Sequence, residues 1–349
     1  MRAAVYHGPR TPLVIEEVPE PQPGPGEVVI KIAGAGVCHS DVIKMEKGLF
    51  NNFNGPRTNV FGHENGGWVA AVGAGVTSVA DGDAVVVYTS PGCGTCTYCV
   101  TGVEQYCADK SRWNGTGVGG GFADYMLVRT ERALVKLDRL DPKQAATLTD
   151  AGFTSYAAVH RSIPYFDPEQ PVLVIGAGGL GSYAIKYLRI LSGCPVVVVE
   201  TDGRKRAQAL SYGATWAFDG RDPDVAQKIK DLSTDGRGVC AALDFVGIDP
   251  TLTLAIAATR PAGKVTQVGI GGGKAVIDAG ATFNFGQVFE PHLSGSLKDL
   301  RDAITLFERG EVDFIPTEYA PLERINDVIA DLSAGKFTGR AVIDPALSD

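Results

Sequence analysis

The sequence lacks the long apolar runs and the basic clusters that mark several protein classes. Its 349 residues contain no apolar stretch of the roughly 18 residues that a membrane-spanning helix needs. Its amino terminus has no apolar run of signal-peptide length. No block of Lys and Arg offsets the net charge of −8, whereas a nucleic-acid surface needs a basic patch. We therefore expect a cytoplasmic protein that binds neither membranes nor nucleic acid.

Cysteine is scarce and unevenly placed. The chain has seven cysteines, an odd number that does not allow complete disulfide pairing. Cys194 and Cys240 lie in apolar segments, and we predict that both are buried as small hydrophobic side chains. The other notable group is a cluster in one short segment, formed by Cys93, Cys96, Cys99 and Cys107. Such clustering favours metal ligation in a reducing compartment over a disulfide framework.

The spacing within this four-cysteine loop favours zinc. Its first three cysteines reproduce the start of a bacterial iron–sulfur motif. Seven residues then separate Cys99 from Cys107, and Ala108 follows, whereas the iron–sulfur motif has three residues and then Pro. Four thiolates hold zinc tetrahedrally without solvent access, so we predict a closed structural zinc site. An iron–sulfur cluster and a disulfide remain the alternatives.

The organisation of the chain changes near residue 150. A content of 44% hydrophobic and 21% charged residues can bury a core and suits two domains. The first part is rich in Gly, Pro and alternating apolar residues, which predicts short antiparallel strands. From about Pro171 to Val268, β-branched runs alternate with helical stretches, so we predict an α/β region with a doubly wound parallel sheet. The last segment has a helix and strands that could return to the first domain.

A glycine pattern at the start of the α/β region predicts a dinucleotide site. Gly176, Gly178 and Gly181 follow the apolar run VLVIG and open an amphipathic helix. In this pattern the glycines allow a tight turn, approach of the pyrophosphate and close helix packing, respectively. The next strand ends at Glu200, whose carboxylate can accept ribose hydroxyls and would repel a 2′-phosphate, which favours NAD over NADP. A glycine turn that binds no nucleotide is the alternative.

Cys38 and His63 form a possible second metal site. Cys38 lies in GVCHSD, after a predicted strand, and His63 lies in GHEN, before another strand. Side chains at such positions can reach a cleft, although a lone Cys or His is usually structural.

Taken together, the chain resembles the zinc-dependent alcohol dehydrogenases of the medium-chain dehydrogenase/reductase superfamily, in particular bacterial and yeast enzymes for secondary alcohols. The matching segments cover essentially the whole chain in order, and they are GVCHSD, GHENGGWVAAVG, GCGTCTYC with Cys107, LTDAGFTSY, VLVIGAGGLG and GRAV. The resemblance implies a GroES-like, mostly-β catalytic domain of residues 1–152 and 291–349. It encloses a Rossmann NAD-binding domain of residues 153–290, with the active site in the cleft between them. It also implies two zinc ions per chain and a homodimer or homotetramer.

The resemblance further assigns roles to residues of the second metal site. Cys38 and His63 become zinc ligands, and Glu64 becomes a nearby carboxylate that can approach the metal. Asp150, in LTDAGFTSY, takes the third ligand position, where liver-type enzymes have Cys. Its alternative role is to cap the helix that begins near residue 151. Ser40 matches the first acceptor of the substrate's hydroxyl proton, while zinc serves as Lewis acid and NAD takes the hydride.

Further residues match cofactor contacts in these enzymes. His39 and Arg340 match contacts to the pyrophosphate, and Thr154 matches a residue that packs on the nicotinamide. Lys205 matches a residue near the adenosine ribose, and the resemblance implies that the backbone near Val268 and Leu297 contacts the carboxamide. The remaining residues implied for the cofactor site are Gly179, Leu180 and Val246. One departure is Ile43, which stands where some liver-type enzymes have a relay histidine.

The substrate is the least determined feature. Candidate pocket residues Phe50, Tyr88 and Trp113 are apolar, which favours medium-sized or aryl secondary alcohols and the matching ketones. A polyol dehydrogenase shares the Cys and His ligands but usually has Glu as third ligand and polar groups in its pocket. A zinc-free quinone or enoyl reductase of the superfamily would lack the cysteine loop. A non-catalytic NAD- or zinc-binding regulator is the alternative from another functional class.

Overall fold

The computed structural model describes residues 1–47, 59–277 and 285–348. The chain forms two compact units, one of Met1–Phe153 with Gly295–Asp349 and one of Thr154–Ser294. The domain limits inferred from the sequence, after residues 152 and 290, stay predictions beside these units. Among the described residues, no helix is long and apolar enough to cross a membrane.

Short strands dominate the first 150 residues. The strands are β1 Arg2–Val5, β2 Val14–Glu17, β3 Val28–Gly36, β4 Glu64–Val72, β5 Ala84–Val87, β6 Tyr125–Val128 and β7 Leu134–Lys136. The helices up to the start of the second unit are α1 His39–Lys47, α2 Thr97–Val100, α3 Pro142–Ala145 and α4 Ala151–His160. β3 pairs antiparallel with β4, and β4 with β5, which confirms the predicted antiparallel strands. β3 also pairs with β6, and only Lys31 of its nine residues is exposed.

The second unit contains a parallel sheet. Its strands are β8 Val172–Ile175, β9 Val196–Glu200, β10 Trp216–Asp219, β11 Val239–Asp244, β12 Thr259–Gln267 and β13 Val288–Pro291. Its further helices are α5 Gly179–Leu191, α6 Gly203–Ser211, α7 Val225–Lys230 and α8 Asp249–Ala258. Among the residues described, every strand pair of this sheet is parallel, which confirms the predicted doubly wound sheet. Continuous β-branched runs such as β9 suit strands covered on both faces.

The strand order of this sheet places the glycine motif. Within the described part, the order is β10-β9-β8-β11-β12-β13. The chain therefore runs outward in one direction from β8 and in the other from β11. Ligands of doubly wound sheets bind outside the carboxyl ends of the strands at such a switch point. The glycine motif directly follows β8, at this position. Cys194 and Cys240 are both buried in this unit, as predicted.

The carboxyl-terminal segment completes the first unit. It contributes α9 Leu297–Glu308, β14 Thr317–Ala320, α10 Ile325–Ser333 and β15 Arg340–Ile343. β15 pairs antiparallel with β3, so this segment lies in the same sheet as β3, while its return to the first domain as residues 291–349 stays a prediction. The larger sheet of this unit runs β14-β15-β3-β4-β5-β7 among the described residues, with β6 beside β3. α10 buries one apolar face, formed by Ile325, Val328, Ile329 and Leu332, against the core of this unit.

Candidate metal centres and nucleotide site

The four-cysteine loop has the sulfur spacing of a tetrahedral metal site. Sγ of Cys96 lies 3.5 Å from Sγ of Cys99 and 3.8 Å from Sγ of Cys107, and Sγ of Cys93 lies 3.9 Å from Sγ of Cys99. A zinc–sulfur bond of about 2.3 Å at the tetrahedral angle places sulfurs about 3.8 Å apart. A disulfide would require about 2.05 Å. The donor set and its spacing therefore fit a tetrathiolate zinc site.

The backbone of the loop supports anionic sulfur. The amide of Cys96 donates to Sγ of Cys93 at 3.3 Å, and the amide of Cys93 donates to Sγ of Cys107 at 3.4 Å. Backbone hydrogen bonds from Thr95 and Cys96 lower the pKa of Cys93 to about 5. Burial raises the pKa of Cys99 to about 12. A metal ion would therefore displace a proton from Cys99 on binding.

A second donor cluster lies elsewhere in the same unit. One donor atom from each of Cys38, His63, Glu64 and Asp150 lies within 4.8 Å of the others. Sγ of Cys38 is 3.3 Å from Oδ2 of Asp150, and Nε2 of His63 is 3.7 Å from the same oxygen. Ligands of a tetrahedral zinc with these atom types lie about 3.4–3.6 Å apart. The structure thus brings together the residues that the sequence predicted as ligands, and their binding of zinc stays a prediction.

Separate elements bring these donors together. Cys38 directly precedes α1, His63 directly precedes β4, and Asp150 precedes α4. Oγ1 of Thr89 lies 3.0 Å from the carbonyl oxygens of both His63 and Thr149. The amide of Asn65 donates to Oγ1 of Thr149 at 3.0 Å. These buried bonds fix the segment before Asp150 against the start of β4.

The protonation of the cluster depends on its close contacts. Burial raises the pKa of Cys38, and the nearby Asp150 carboxylate raises it further. Burial alone would raise the pKa of Asp150, but the contact with His63 lowers it below its usual range. Burial likewise opposes charge on His63, yet Asp41 raises the pKa of His63 well above its usual value. A metal ion would compete with the protons on Cys38 and His63.

Asp41 supports two of the predicted ligands, and the sequence analysis did not identify it. Its Oδ2 accepts the amide of Cys38 at 3.1 Å, and its Oδ1 lies 3.2 Å from Nδ1 of His63, although the angle there is poor for a hydrogen bond. Burial would raise the pKa of Asp41, but His63 and Lys44 together lower it to about 2. A carboxylate behind a metal-binding His orients the ring. The signal was an acidic residue in the first turn of α1, where it can accept the amide of Cys38.

Glu64 forms a buried ion pair with Arg340. Nη2 of Arg340 donates to Oε1 of Glu64, and both side chains are almost fully buried. Burial raises the pKa of Glu64 to about 7, against the opposing effect of Arg340. The family resemblance implies that Arg340 contacts the cofactor pyrophosphate. That contact stays a prediction, and the structure adds a partner for Arg340 within its own unit.

Ser40 lies beside the donor cluster, as its predicted proton-transfer role requires. Its Oγ is 3.2 Å from Nε2 of His63, and its side chain is half-buried at the start of α1. His39 is exposed on the same turn, and Ile43 is half-buried one turn later. A hydroxyl next to the donor atoms can hold a proton there.

The glycine motif of the second unit has distinct steric demands at its three positions. Gly176 has a φ of +86°, a conformation that favours glycine. A Cβ at Gly181 would lie 1.8 Å from the carbonyl oxygen of Gly176, so this position allows helix and turn to pack closely. A Cβ at Gly178 would meet nothing within 4 Å, which leaves the backbone there open. Oε2 of Glu200 accepts the amide of Ala177 at 2.9 Å and so lies beside the glycine turn.

The other predicted cofactor residues are distributed over both units. In the second unit, Thr154 and Val268 are buried, and Gly179, Leu180, Lys205 and Val246 are half-buried. The amide of Val268 donates to the carbonyl of Asp244 at 2.8 Å. In the first unit, the amide of Leu297 donates to Oε1 of Glu104 at 2.7 Å. Their cofactor contacts stay predictions.

Two of the three predicted pocket residues are described, and Phe50 lies outside the described residues. Tyr88 is fully buried, and its hydroxyl donates to the carbonyl of Gly295 at 2.8 Å. Its ring meets the ring of Phe153 edge-on at 5.7 Å. Trp113 is 8% exposed, with Nζ of Lys110 4.1 Å from its ring centroid. Their contact with substrate stays a prediction.

Comparison with known proteins agrees with both units. The family description "Alcohol dehydrogenase GroES-like domain" matches residues 24–139, and "Zinc-binding dehydrogenase" matches residues 179–309. An NAD-dependent alcohol dehydrogenase of Sulfolobus acidocaldarius is 33% identical over 98% of this chain and 99% of that protein. A D-arabinose 1-dehydrogenase (NADP(+)) of Saccharolobus solfataricus is 35% identical over 99% and 97%. The crystal structure of an alcohol dehydrogenase from Aeropyrum pernix has a TM-score of 0.92 at 31% identity, with 99% of this chain and 100% of that chain covered.

Proposed function

Because the chain belongs to the zinc-dependent alcohol dehydrogenases of the medium-chain dehydrogenase/reductase superfamily, we propose that it transfers hydride between NAD(H) and an alcohol–ketone pair. The observation that carries the proposal is the donor cluster of Cys38, His63 and Asp150, with the Ser40 hydroxyl 3.2 Å from His63. A regulator that only bound zinc or NAD would not need a hydroxyl beside its metal donors. Alcohol-dependent formation of NADH distinguishes the two.

Different residues of the chain are proposed to bind the metal and to accept the proton in this reaction. Zinc, when bound, supplies Lewis acidity at the substrate oxygen, and NAD supplies the hydride acceptor. Cys38 and Asp150 contribute two anionic donors and His63 a neutral one, so a divalent ion is formally balanced. The harder carboxylate oxygen donates less electron density than a second thiolate would. Ser40 accepts the proton of the substrate hydroxyl while it passes its own hydroxyl proton onward to water, and Ile43 cannot relay that proton.

The metal stoichiometry belongs to the same proposal. Two zinc ions per chain are expected, one at the donor cluster with Cys38 and one at the four-cysteine loop. The second would be structural, because four thiolates leave no open coordination position. A cytoplasmic location is part of the proposal, since the loop requires reduced cysteines.

NAD is proposed as the preferred cofactor. Glu200 ends β9 and already lies beside the glycine turn through the amide of Ala177. A carboxylate there can accept ribose hydroxyls and disfavours a 2′-phosphate. The neighbouring cations Arg204 and Lys205 weaken this discrimination, and one similar enzyme is named for NADP(+). We therefore expect NADP to be used as well, with a lower kcat/KM than NAD.

The proposed substrates are medium-sized or aryl secondary alcohols and their ketones. The proposal rests on the aromatic candidate pocket residues Phe50, Tyr88 and Trp113 of the sequence. An aldose is the second candidate, because the D-arabinose dehydrogenase named above is 35% identical to this chain. A panel of primary, secondary and aromatic alcohols, polyols and aldoses, assayed with NAD and NADP, separates the two.

We also propose a homodimer or homotetramer, which analytical ultracentrifugation would test.

Asp150→Asn tests the proposed function at its central ligand. The change removes a charge with little change of shape, so the catalytic zinc should be held weakly and turnover should fall sharply. The structural zinc and the fold should remain. Asp141→Asn is the matched control, because Asp141 is an exposed helix cap in the same unit and Asn caps as well as Asp. A folded Asp150→Asn enzyme with two tightly held zincs and near-parent turnover would leave Asp150 only a capping role.

A further inference from the structure

Lys44 is a buried cation close to the proposed catalytic metal site. Its side chain is only 5% exposed, on the same helix as Ser40. Nζ lies 3.4 Å from Oδ1 of Asp41 and 3.2 Å from Oγ1 of Thr116. It also lies 5.6 Å from the ring centroid of Phe61. Lysine is almost never this buried without a specific partner, so these contacts call for an explanation.

The charges around the donor cluster show what Lys44 balances. A divalent metal would balance the anionic Cys38 and Asp150. Glu64 already has Arg340 as its buried partner. Asp41 is fully buried as well, and because His63 would be neutral as a metal ligand, the ammonium of Lys44 is the cation left beside Asp41 in these contacts. The metal would thus balance Cys38 and Asp150, Arg340 balances Glu64, and Lys44 supplies the counter-charge for Asp41.

Asp41 connects Lys44 to two predicted ligands. Oδ1 of Asp41 faces both Nζ of Lys44 and Nδ1 of His63, and Oδ2 accepts the amide of Cys38. Lys44 itself touches neither ligand in these contacts. Any influence of Lys44 on the metal through this route must therefore pass through the position of the Asp41 carboxylate.

We propose that Lys44 is a positioning residue for the catalytic metal, holding Asp41 in the place from which it orients His63 and the turn at Cys38. The inference rests on the proposed function, because it assumes that Cys38 and His63 bind that metal. Without Lys44, Asp41 would be a buried charge lacking its counter-charge, an arrangement that is strongly destabilising. The carboxylate would then turn away, and both contacts to the ligand residues would be lost. Loss of such outer partners typically weakens metal binding by about 10–100-fold.

Lys44→Met is the test, because methionine keeps an unbranched apolar stem and removes the charge. In the full-length zinc enzyme, the release of each zinc to a chelator is followed separately. We expect the catalytic zinc of Lys44→Met to leave about 10–100-fold faster, with release from the four-cysteine loop unchanged. The visible spectrum of enzyme with cobalt at the catalytic site should also shift. Glu46→Gln is the matched control, since Glu46 is exposed on the same helix.

A double-variant cycle tests whether Lys44 acts through Asp41. Asp41→Asn alone should also hasten release of the catalytic zinc. Adding Lys44→Met to Asp41→Asn should then change the release rate by less than about threefold, because the connecting carboxylate is already gone. If the two substitutions multiplied their separate effects on the release rate, the proposal would be overturned. Release of the catalytic zinc from Lys44→Met at the parent rate would overturn it as well. Loss of both zincs from Lys44→Met would indicate a general folding role and would also overturn it. A parent enzyme that binds zinc only at the cysteine loop would instead refute the proposed function on which the inference rests.

Discussion

The buried pair of Glu64 and Arg340 provides a quantitative test of how the first unit is held together. Arg340 begins β15 in the carboxyl-terminal segment, and Glu64 begins β4 near the donor cluster. Their side chains are 4% and 0% exposed. The pair therefore joins two distant parts of the chain inside one core. Replacing Arg340 by Met removes the cation while keeping apolar volume in its place.

The expected magnitude follows from burial. Removing one partner of a buried ion pair typically costs about 3–5 kcal/mol, because the remaining charge stays buried without compensation. Glu64→Gln should reduce the free energy of unfolding by about this amount, and Arg340→Met by less, because Glu64, whose pKa burial already raises to about 7, can take up a proton when its cation is removed. The double variant removes both charges together. Its loss should be smaller than the sum of the two single losses by about 1–3 kcal/mol.

The assay must report on the first unit alone. Trp68 and Trp113 lie in this unit and Trp216 lies in the other, so a Trp216→Phe background restricts the fluorescence to the first unit. Urea denaturation at a fixed zinc concentration then gives the free energies, since bound metal contributes to stability. Lys336→Met is the control, because its pair with Asp331 is exposed and should be worth less than about 1 kcal/mol. Single losses below about 1 kcal/mol, or strictly additive losses, would refute the reasoning.

Four further changes separate the other sites. Cys99→Ser should lose one zinc per chain and lower the melting temperature of the first unit, measured by metal analysis and calorimetry, and two retained zincs would contradict the structural site. Glu200→Ala should reduce the preference for NAD over NADP in kcat/KM by about tenfold or more, and an unchanged ratio would remove Glu200 from cofactor selection. Gly181→Ala should destabilise the second unit, because its Cβ would lie 1.8 Å from a carbonyl oxygen. Gly178→Ala should keep the parent melting temperature and weaken NAD binding in a fluorescence titration. A lowered melting temperature with unchanged NAD binding would contradict the role given to Gly178.

Local patterns predicted much of the fold. β9 is one uninterrupted β-branched run, and a run of that kind reads as a strand covered on both faces. The glycine motif was also local, because its strand, turn and helix follow one another in the chain. β10 and β13 were harder to predict. Their residues are only partly buried, since each lies at an edge of the sheet, and their apolar signal is correspondingly weak.

The donor cluster shows where prediction from the sequence stopped. The resemblance identified Cys38, His63 and Asp150, because each lies in a recognisable segment. It did not reveal Asp41 or Lys44 as supporting residues. Their significance depends on burial and on contacts with His63 and Thr116, which are distant in the chain. An Asp and a Lys on a predicted helix ordinarily indicate a solvated face, and here the tertiary structure buries both.

The two metal centres differ in a way that accounts for their different proposed roles. Four thiolates outweigh the charge of a divalent ion, so the cysteine loop would carry net negative charge and would repel the electron-rich oxygen of an alcohol. Its sulfurs also occupy every tetrahedral position. The cluster of Cys38, His63 and Asp150 would be balanced by the same ion, with one position open. Its remaining buried carboxylates, Glu64 and Asp41, each face a buried cation. The chain thus neutralises the surroundings of the cluster with Cys38, so that the field of a metal held there would act on the oxygen of the proposed substrate.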